Sequence, residues 1–409
     1  MIFTGFLPNA TTKDLLKSLD FLLLPWKWFS LRKGKGNKKV EKWLKTYFEI
    51  PHTYTFDSGR TALQKGLEVL GVQRGDEVLV QAYTCMVVSN AIKWAHGNPV
   101  YVDVGNDLNI DCADLEKKIT NKSKVLIIQH TFGRPADLEK LLDIAKKHNL
   151  KVIEDCAHSL GVKHNGKFLG TSGDIGMFSF GTDKVVSSMR GGALITSDKI
   201  IGNKIKKLQQ DLPLPKLLKT IQYLLAFPAF AIGKPLYEVG GRYFLGILKK
   251  LNILGRIMYD EEKKGNQVSF YPSQFANSFA SILLNQLEKM DEVNRHRQKI
   301  ADLYNEKITN KDIVLPEKNN ESNYLRYALL VKNPLDMIVA AKKNGIMLGN
   351  WYDTVIAPGD CTLEASGYKK GSCPVAEKLS SQSINLPTNR HIDETKAQKI
   401  IDFVNSYGN

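Results

Sequence analysis

Phe178-Ser179-Phe180-Gly181-Thr182-Asp183-Lys184 is the stretch on which the reading of this 409-residue chain turns. It places a lysine just after an apolar strand. A second apolar run ends 29 residues before that lysine, in Ile153-Glu154-Asp155-Cys156-Ala157-His158. Far upstream, Phe56-Asp57-Ser58-Gly59-Arg60-Thr61-Ala62-Leu63 sets a flexible turn directly before an amphipathic pattern. Singly, each has a plain explanation: a solvated lysine, an acid capping a helix, a Ser/Thr N-cap.

Working outward, Val78-Leu79-Val80, Val100-Tyr101-Val102, Val125-Leu126-Ile127-Ile128, Val152-Ile153 and Ala193-Leu194-Ile195 read as strands. Between them, Ala62, Leu63, Gly66, Leu67 and Leu70 share one helical face, as do Leu138, Leu141, Leu142 and Ala145. This alternation predicts an α/β domain with a mostly parallel sheet flanked by helices. Ligands of such sheets sit beyond the C-terminal strand ends, where Asp103, His130 and Asp155 fall. From about residue 290, helical patterns at 293–304 and 394–404 flank a short strand at 327–331, which reads as a smaller α/β lobe. The expected division is 1–290 for the large domain and 291–409 for the small one.

Hydrophobic residues make up 43% and charged residues 24% of the chain, enough for a sizeable core. The formal net charge of +15 favours anionic partners. Five cysteines without CxxC spacing argue against a disulfide framework or a structural zinc site, so a reducing cytoplasm is the expectation and no metal is assigned. The first nine residues do not read as a signal peptide, and no apolar stretch reaches 18 residues. Gly161 to Phe168 nearly spells a P-loop, but Phe168 stands where a Ser or Thr must ligate magnesium. No nucleic-acid motif is present.

The order helix start, acid, lysine meets the needs of pyridoxal phosphate (PLP). That cofactor takes a lysine for a Schiff base, an anion beside its pyridinium nitrogen and a helix N-terminus for its phosphate. Lys184, Asp155 and the turn at Ser58-Gly59 are the candidates, with Arg60, Thr61 and Ser179 near the phosphate. His158, three residues after the acid, could pack on the ring or bond its phenolic oxygen. Gly191-Gly192 permit close backbone approach.

Residues 211–255 differ in character. Ile221 to Gly233 is uncharged and mostly apolar, and Tyr243 to Leu248 is apolar and followed by Lys249-Lys250. One reading is a helical insertion packed on the domain or on a second subunit. The other is a peripheral membrane contact, supported by Phe21 to Phe29, which joins Leu and Trp residues to a basic stretch through Lys39.

Together these pieces resemble the DegT/StrS-type sugar aminotransferases, PLP enzymes of the aspartate aminotransferase fold (fold type I). The likeness covers most of 40–406, excluding the 211–262 insertion. It rests on Ser58 to Leu63, Asn90-Ala91-Ile92, His130 to Asp137, Glu154 to His158, and Phe178 through Lys184 to Gly192. Gln286 to Lys289, Cys373 to Glu377 and Leu386-Pro387 fit its C-terminal part. The resemblance implies that Lys184 holds the cofactor and shuttles the proton, that Asp155 pairs with the pyridinium, and that His158 contacts the ring. It places Gly59, Arg60, Thr61 and Ser179 around the phosphate. It further implies glutamate as donor, a nucleotide-linked keto-sugar as acceptor in glycan or polysaccharide biosynthesis, and a site built at a homodimer interface.

Four departures from the family pattern stand out. Cys85 occupies the position of a ring-stacking aromatic, for which Tyr83 could compensate. Arg60 replaces a common Thr and Arg190 a common acid. Pro272 stands where a cross-subunit Asn is usual, leaving Gln274 or Asn266 as substitutes. Aminotransferase is the first expectation. A lyase or dehydratase on the same fold, or a non-catalytic membrane-associated protein, are the alternatives; dehydratases of this family replace the lysine that is present here.

Overall fold

The computed structural model describes residues 1–5 and 7–408. Its centre is a seven-stranded sheet built from β1 (His52–Phe56), β2 (Glu77–Gln81), β3 (Asn98–Val102), β4 (Ser123–Gln129), β5 (Lys151–Asp155), β6 (Ile175–Ser179) and β7 (Gly192–Thr196). The spatial order is β1-β7-β6-β5-β4-β2-β3. Strands β2 to β6 pair in parallel, and β7 runs antiparallel to both β6 and β1. The five runs expected to be strands are all in this sheet.

The run Val125-Leu126-Ile127-Ile128 shows why β4 lies centrally. Leu126 and Ile128 enter one core with Val152 and Phe178, while Val125 and Ile127 enter another with Ile153 and Met177. Side chains alternate across a strand, so an unbroken aliphatic run suits a sheet covered on both faces. Truncating one of these residues to alanine would cost about 2–5 kcal/mol.

Register positions the polar residues. Ser179 pairs with Gly192 and Gly192 with Phe56; Met177 pairs with Asp155 and Asp155 with Gln129. The C-terminal ends of β1, β4, β5 and β6 and the start of β7 therefore share one sheet edge.

Of the helices, α1 (Thr12–Leu23), α2 (Pro25–Trp28) and α3 (Gly59–Val69) precede the insertion. The insertion itself is helical, with α4 (Leu217–Leu224), α5 (Ala226–Gly233), α6 (Arg242–Lys250) and α7 (Asp260–Lys263). Pro228 sits in the first turn of α5, where its missing N–H has no intrahelical partner to lose. Tyr223, Leu224, Phe227 and Leu245 share a core with Phe21 of α1. The Ser18 hydroxyl donates to the Leu224 carbonyl at 2.8 Å.

The C-terminal part has its own core of Tyr304, Tyr327, Leu329, Ile384 and Ile400. Its frame is α8 (Met290–Lys307), α9 (Glu394–Ser406) and the antiparallel pair β8 (Tyr327–Leu330) and β9 (Ser383–Leu386). Ile2 and Phe3 pair in parallel with Ile346 and Met347, tying the first residues to this part. Among the described residues no helix is long and apolar enough to cross a membrane.

Candidate active site

A cavity of about 370 Å³ opens at the shared sheet edge, within the size range of small-molecule sites. Ser58, Gly59, Arg60, Cys85, Asp155, His158, Ser179 and Lys184 all line it. Thr61 does not. It is buried behind the turn, where its N–H donates to Ser58 Oγ at 3.2 Å and its hydroxyl lies 3.1 Å from the same oxygen.

Asp155 ends β5 and is 4% exposed. One of its oxygens accepts the Ala157 N–H at 3.0 Å. Burial raises its pKa, while the Ala157 N–H and the Lys184 charge pull it down. Burial lowers the pKa of Lys184, and Asp155 opposes that shift. An amine held this way is more readily deprotonated, which is what a nucleophilic lysine needs. The backbone around it is pinned by Asn9, whose amide donates to the carbonyls of Lys184 at 2.7 Å and Val185 at 3.0 Å.

His158 accepts the Phe132 N–H on Nδ1 at 3.2 Å, and its ring stacks on Phe132 with centroids 5.6 Å apart. Burial, then the charges of Lys184 and Arg326, hold its pKa well below the usual histidine value. The imidazole is therefore neutral, with its proton on Nε2.

The other end of the cavity is the start of α3. Ser58 is its N-cap, in extended conformation. A Cβ on Gly59 would lie 2.8 Å from Ser179 Cβ, and one on Gly192 would lie 2.6 Å from the Ser58 backbone. The two glycines bring the α3 start, the end of β6 and the start of β7 into direct contact. The positive end of the helix dipole, the backbone N–H groups of the turn and the Ser179 hydroxyl could receive an anion there.

The two unusual arginines both have acidic partners. Arg60 forms an ion pair with Glu262 of α7, whose side chain is fully buried, and also donates to the Ile257 carbonyl at 2.8 Å. Arg190 lies 3.6 Å from Asp57, donates to the Tyr223 hydroxyl at 3.1 Å and stands over the Tyr271 ring at 5.0 Å. The positive charge that Arg60 and Arg190 bring is thus offset within the fold. Each pair spans more than a hundred residues of sequence, so no local pattern announces it.

Other lining residues were not singled out in the sequence. Arg326, just before β8, lies 3.8 Å from Asp183, next to the lysine. The aromatic rings on the cavity are Phe132, Trp351 and Tyr352. Tyr83 is not among them. Its hydroxyl lies 2.7 Å from Ser383 Oγ, and its ring meets Phe132 and Tyr352 edge-on. Gln274 is likewise engaged elsewhere, donating to the Leu212 carbonyl at 2.8 Å. His130, Glu154 and Cys156 come close enough to share an ion. Glu154, however, accepts the N–H groups of Gly170, Ser172 and Gly173 at 2.8, 2.7 and 2.7 Å, which fixes that turn.

This donor set fits pyridoxal phosphate. One cavity joins an anion-accepting helix start with hydroxyls, a buried carboxylate for the ring nitrogen and an amine of lowered pKa.

A profile of the DegT/DnrJ/EryC1/StrS aminotransferase family matches residues 22–212 and 247–405. The GDP-perosamine synthase of Escherichia coli O157:H7 is 27% identical over 387 residues, covering 93% of this chain and 92% of that protein. The UDP-N-acetyl-3-dehydro-alpha-D-glucosamine 3-aminotransferase of Acidithiobacillus ferrooxidans is 26% identical, covering 90% and 87%. The crystal structure of a DegT DnrJ EryC1 StrS aminotransferase from Brucella abortus superposes with a TM-score of 0.73 at 22% identity, over 96% of this chain and 94% of that one.

Proposed function

Because the chain belongs to the DegT/DnrJ/EryC1/StrS aminotransferase family, which is PLP-dependent, we propose that it moves an amino group from glutamate to the keto group of a nucleotide-linked sugar. The relatives named for GDP-perosamine and for a UDP-linked 3-dehydro-glucosamine support that acceptor class. The observation that carries the proposal is that Lys184, Asp155 and the start of α3 line one cavity.

The bound cofactor supplies an electron-withdrawing ring that stabilises negative charge on the carbon losing a proton. The chain does the rest. Asp155 would keep the ring nitrogen protonated from its buried position. Ser58, Gly59 and Ser179 would hold the phosphate at the helix start, with Arg60 nearby. Lys184 Nζ would anchor the cofactor and, when free, would act as the base that takes a proton from the substrate carbon and as the acid that hands it on. His158 would contact the ring, and Cys85, which also lines the cavity, would offer less packing surface there than an aromatic side chain.

Residues 1–290 serve as the cofactor-binding domain and 291–409 as the smaller one. A homodimer in the cytoplasm, with a peripheral contact to the inner membrane face through 21–39 and 211–255, completes the proposal. The test is a half-reaction: glutamate should shift the absorbance of the PLP-loaded protein, and a keto-sugar nucleotide should reverse it. No change with glutamate, while another amino acid produces one, sinks the donor assignment; no change with any amino donor sinks the reaction.

A further inference from the structure

The charge of this chain is concentrated. Segment 24–45 holds eight Lys or Arg against one acid, and segment 212–256 holds seven against one. Thirteen of the fifteen excess positive charges therefore reside in these two stretches. The same stretches carry most of the large apolar side chains that the fold leaves in solvent. Phe29 is 92% exposed, Val239 83%, Leu218 75% and Trp26 66%. Leu23, Trp28, Tyr243, Ile247 and Leu251 are exposed as well.

The fold brings the stretches together. Helix α1 touches both α2 and α5, and α5 touches α6. Leu245 of α6 turns inward into the core, while Tyr243 and Ile247 turn outward. Arg242 begins α6 and Lys249-Lys250 end it. Apolar and indole side chains bordered by cations, on helices too short to span a bilayer, match an interfacial mode of membrane binding.

We propose that α2, α5 and α6, with the basic stretch that follows α2, dock on an anionic phospholipid bilayer. This deepens the peripheral contact proposed above and does not depend on the aminotransferase reading. Charge decides the occupant. A second copy would set one strongly cationic face against another, and like charges across an interface suppress pairing. An anionic leaflet attracts each Lys or Arg near its surface, and its boundary accepts Trp and Leu side chains. Residues 213–246, which hold α5 and the first half of α6, lie outside the family match. They are also connected to the cavity, because Tyr223 of α4 takes the hydrogen bond from Arg190.

The experiment is co-sedimentation of the full-length, PLP-loaded protein with vesicles of phosphatidylcholine alone or mixed with phosphatidylglycerol. Binding is expected only to the anionic vesicles, weakening as salt is raised. Substituting Trp26, Trp28 and Phe29 together by Ser should reduce partitioning at least about tenfold. Replacing Lys27, Lys33, Lys35 and Lys38 by Glu should reduce it at least about a hundredfold. Both variants alter exposed or half-buried side chains away from the cavity and should retain the glutamate half-reaction, which shows that they are folded. Absence of binding to anionic vesicles at low salt overturns the proposal. So does conversion of a dimer to a monomer by the Ser variant without any vesicle binding, which would make the face a subunit interface. Equal binding of a DNA duplex by wild type and the Ser variant, with no vesicle binding, would assign the charge to a polyanion and overturn it too.

Discussion

Arg60, in the first turn of α3, is held by Glu262 of α7 in an ion pair whose carboxylate is fully buried. The pair fastens the insertion to the helix start that floors the cavity. Glu262 also accepts the Tyr259 N–H at 2.9 Å, and its carbonyl accepts the Asn90 amide at 2.8 Å. Removing one member strands the other charge away from water. Glu262→Ala should therefore cost about 3–5 kcal/mol in urea unfolding, and Arg60→Met combined with Glu262→Met should recover much of it. If Glu262→Ala is neutral, the pair is not the fastening it is taken to be.

Lys184→Ala should leave PLP removable by dialysis and lower transamination roughly 10²–10⁴-fold or more. Asp155→Asn should keep the covalent attachment while lowering kcat by a comparable factor, because the ring nitrogen loses its anion. Absorbance after dialysis, together with kcat, separates the two effects.

Gly59→Ala sets two effects against each other. Alanine gains up to about 1 kcal/mol of helix propensity over glycine. Its Cβ would also press on Ser179 Cβ at 2.8 Å, and such overpacking costs about 1–3 kcal/mol. Packing should win, giving a net loss of stability and weaker PLP binding in a titration of the apoprotein. Ser179→Gly in the same chain should relieve it.

His158 gives a pH signature. Its folded pKa is depressed, by burial and then by Lys184 and Arg326. Above the unfolded value of 6.5 both states are neutral and the group is silent. Below it the unfolded state gains a proton that the folded state refuses. Stability then falls with pH by as much as about 1.4 kcal/mol per unit. His158→Gln should remove this component, so unfolding of wild type and variant at about pH 7.5 and about pH 5.5 should show the gap between them shifting toward the variant in acid.

Much of this architecture was legible because its signals are local. The aliphatic runs at 78–80, 100–102, 125–128, 152–153 and 193–195 are strands, and the faces at 62–70 and 138–145 lie in helices except for Leu70, which caps the first. Strand β1 was not read, because His52-Thr53-Tyr54-Thr55-Phe56 alternates without an aliphatic run. The sheet edge that gathers Ser58, Asp155 and Ser179 follows from parallel strand order, which makes the cavity's place readable. Its charge was not. Glu262 and Asp57 neutralise Arg60 and Arg190 through contacts made only on folding. Tyr83 similarly looked available for the ring until Ser383, 300 residues away, claimed its hydroxyl.

The pairing of β1 with β7, and of Ile2-Phe3 with Ile346-Met347, also sets a timetable. Ribosomes add about 5–20 residues per second. β1 then waits roughly 7–30 seconds for its partner strand, and Ile2 waits some tens of seconds for Ile346. Until β7 is made, the edge of β1 stands uncovered. The rims of the cavity contributed by Arg326 and Tyr352 arrive near the end. Cofactor capture is thus a late event in the life of each new chain, and apoprotein caught earlier is the form most at risk of aggregation.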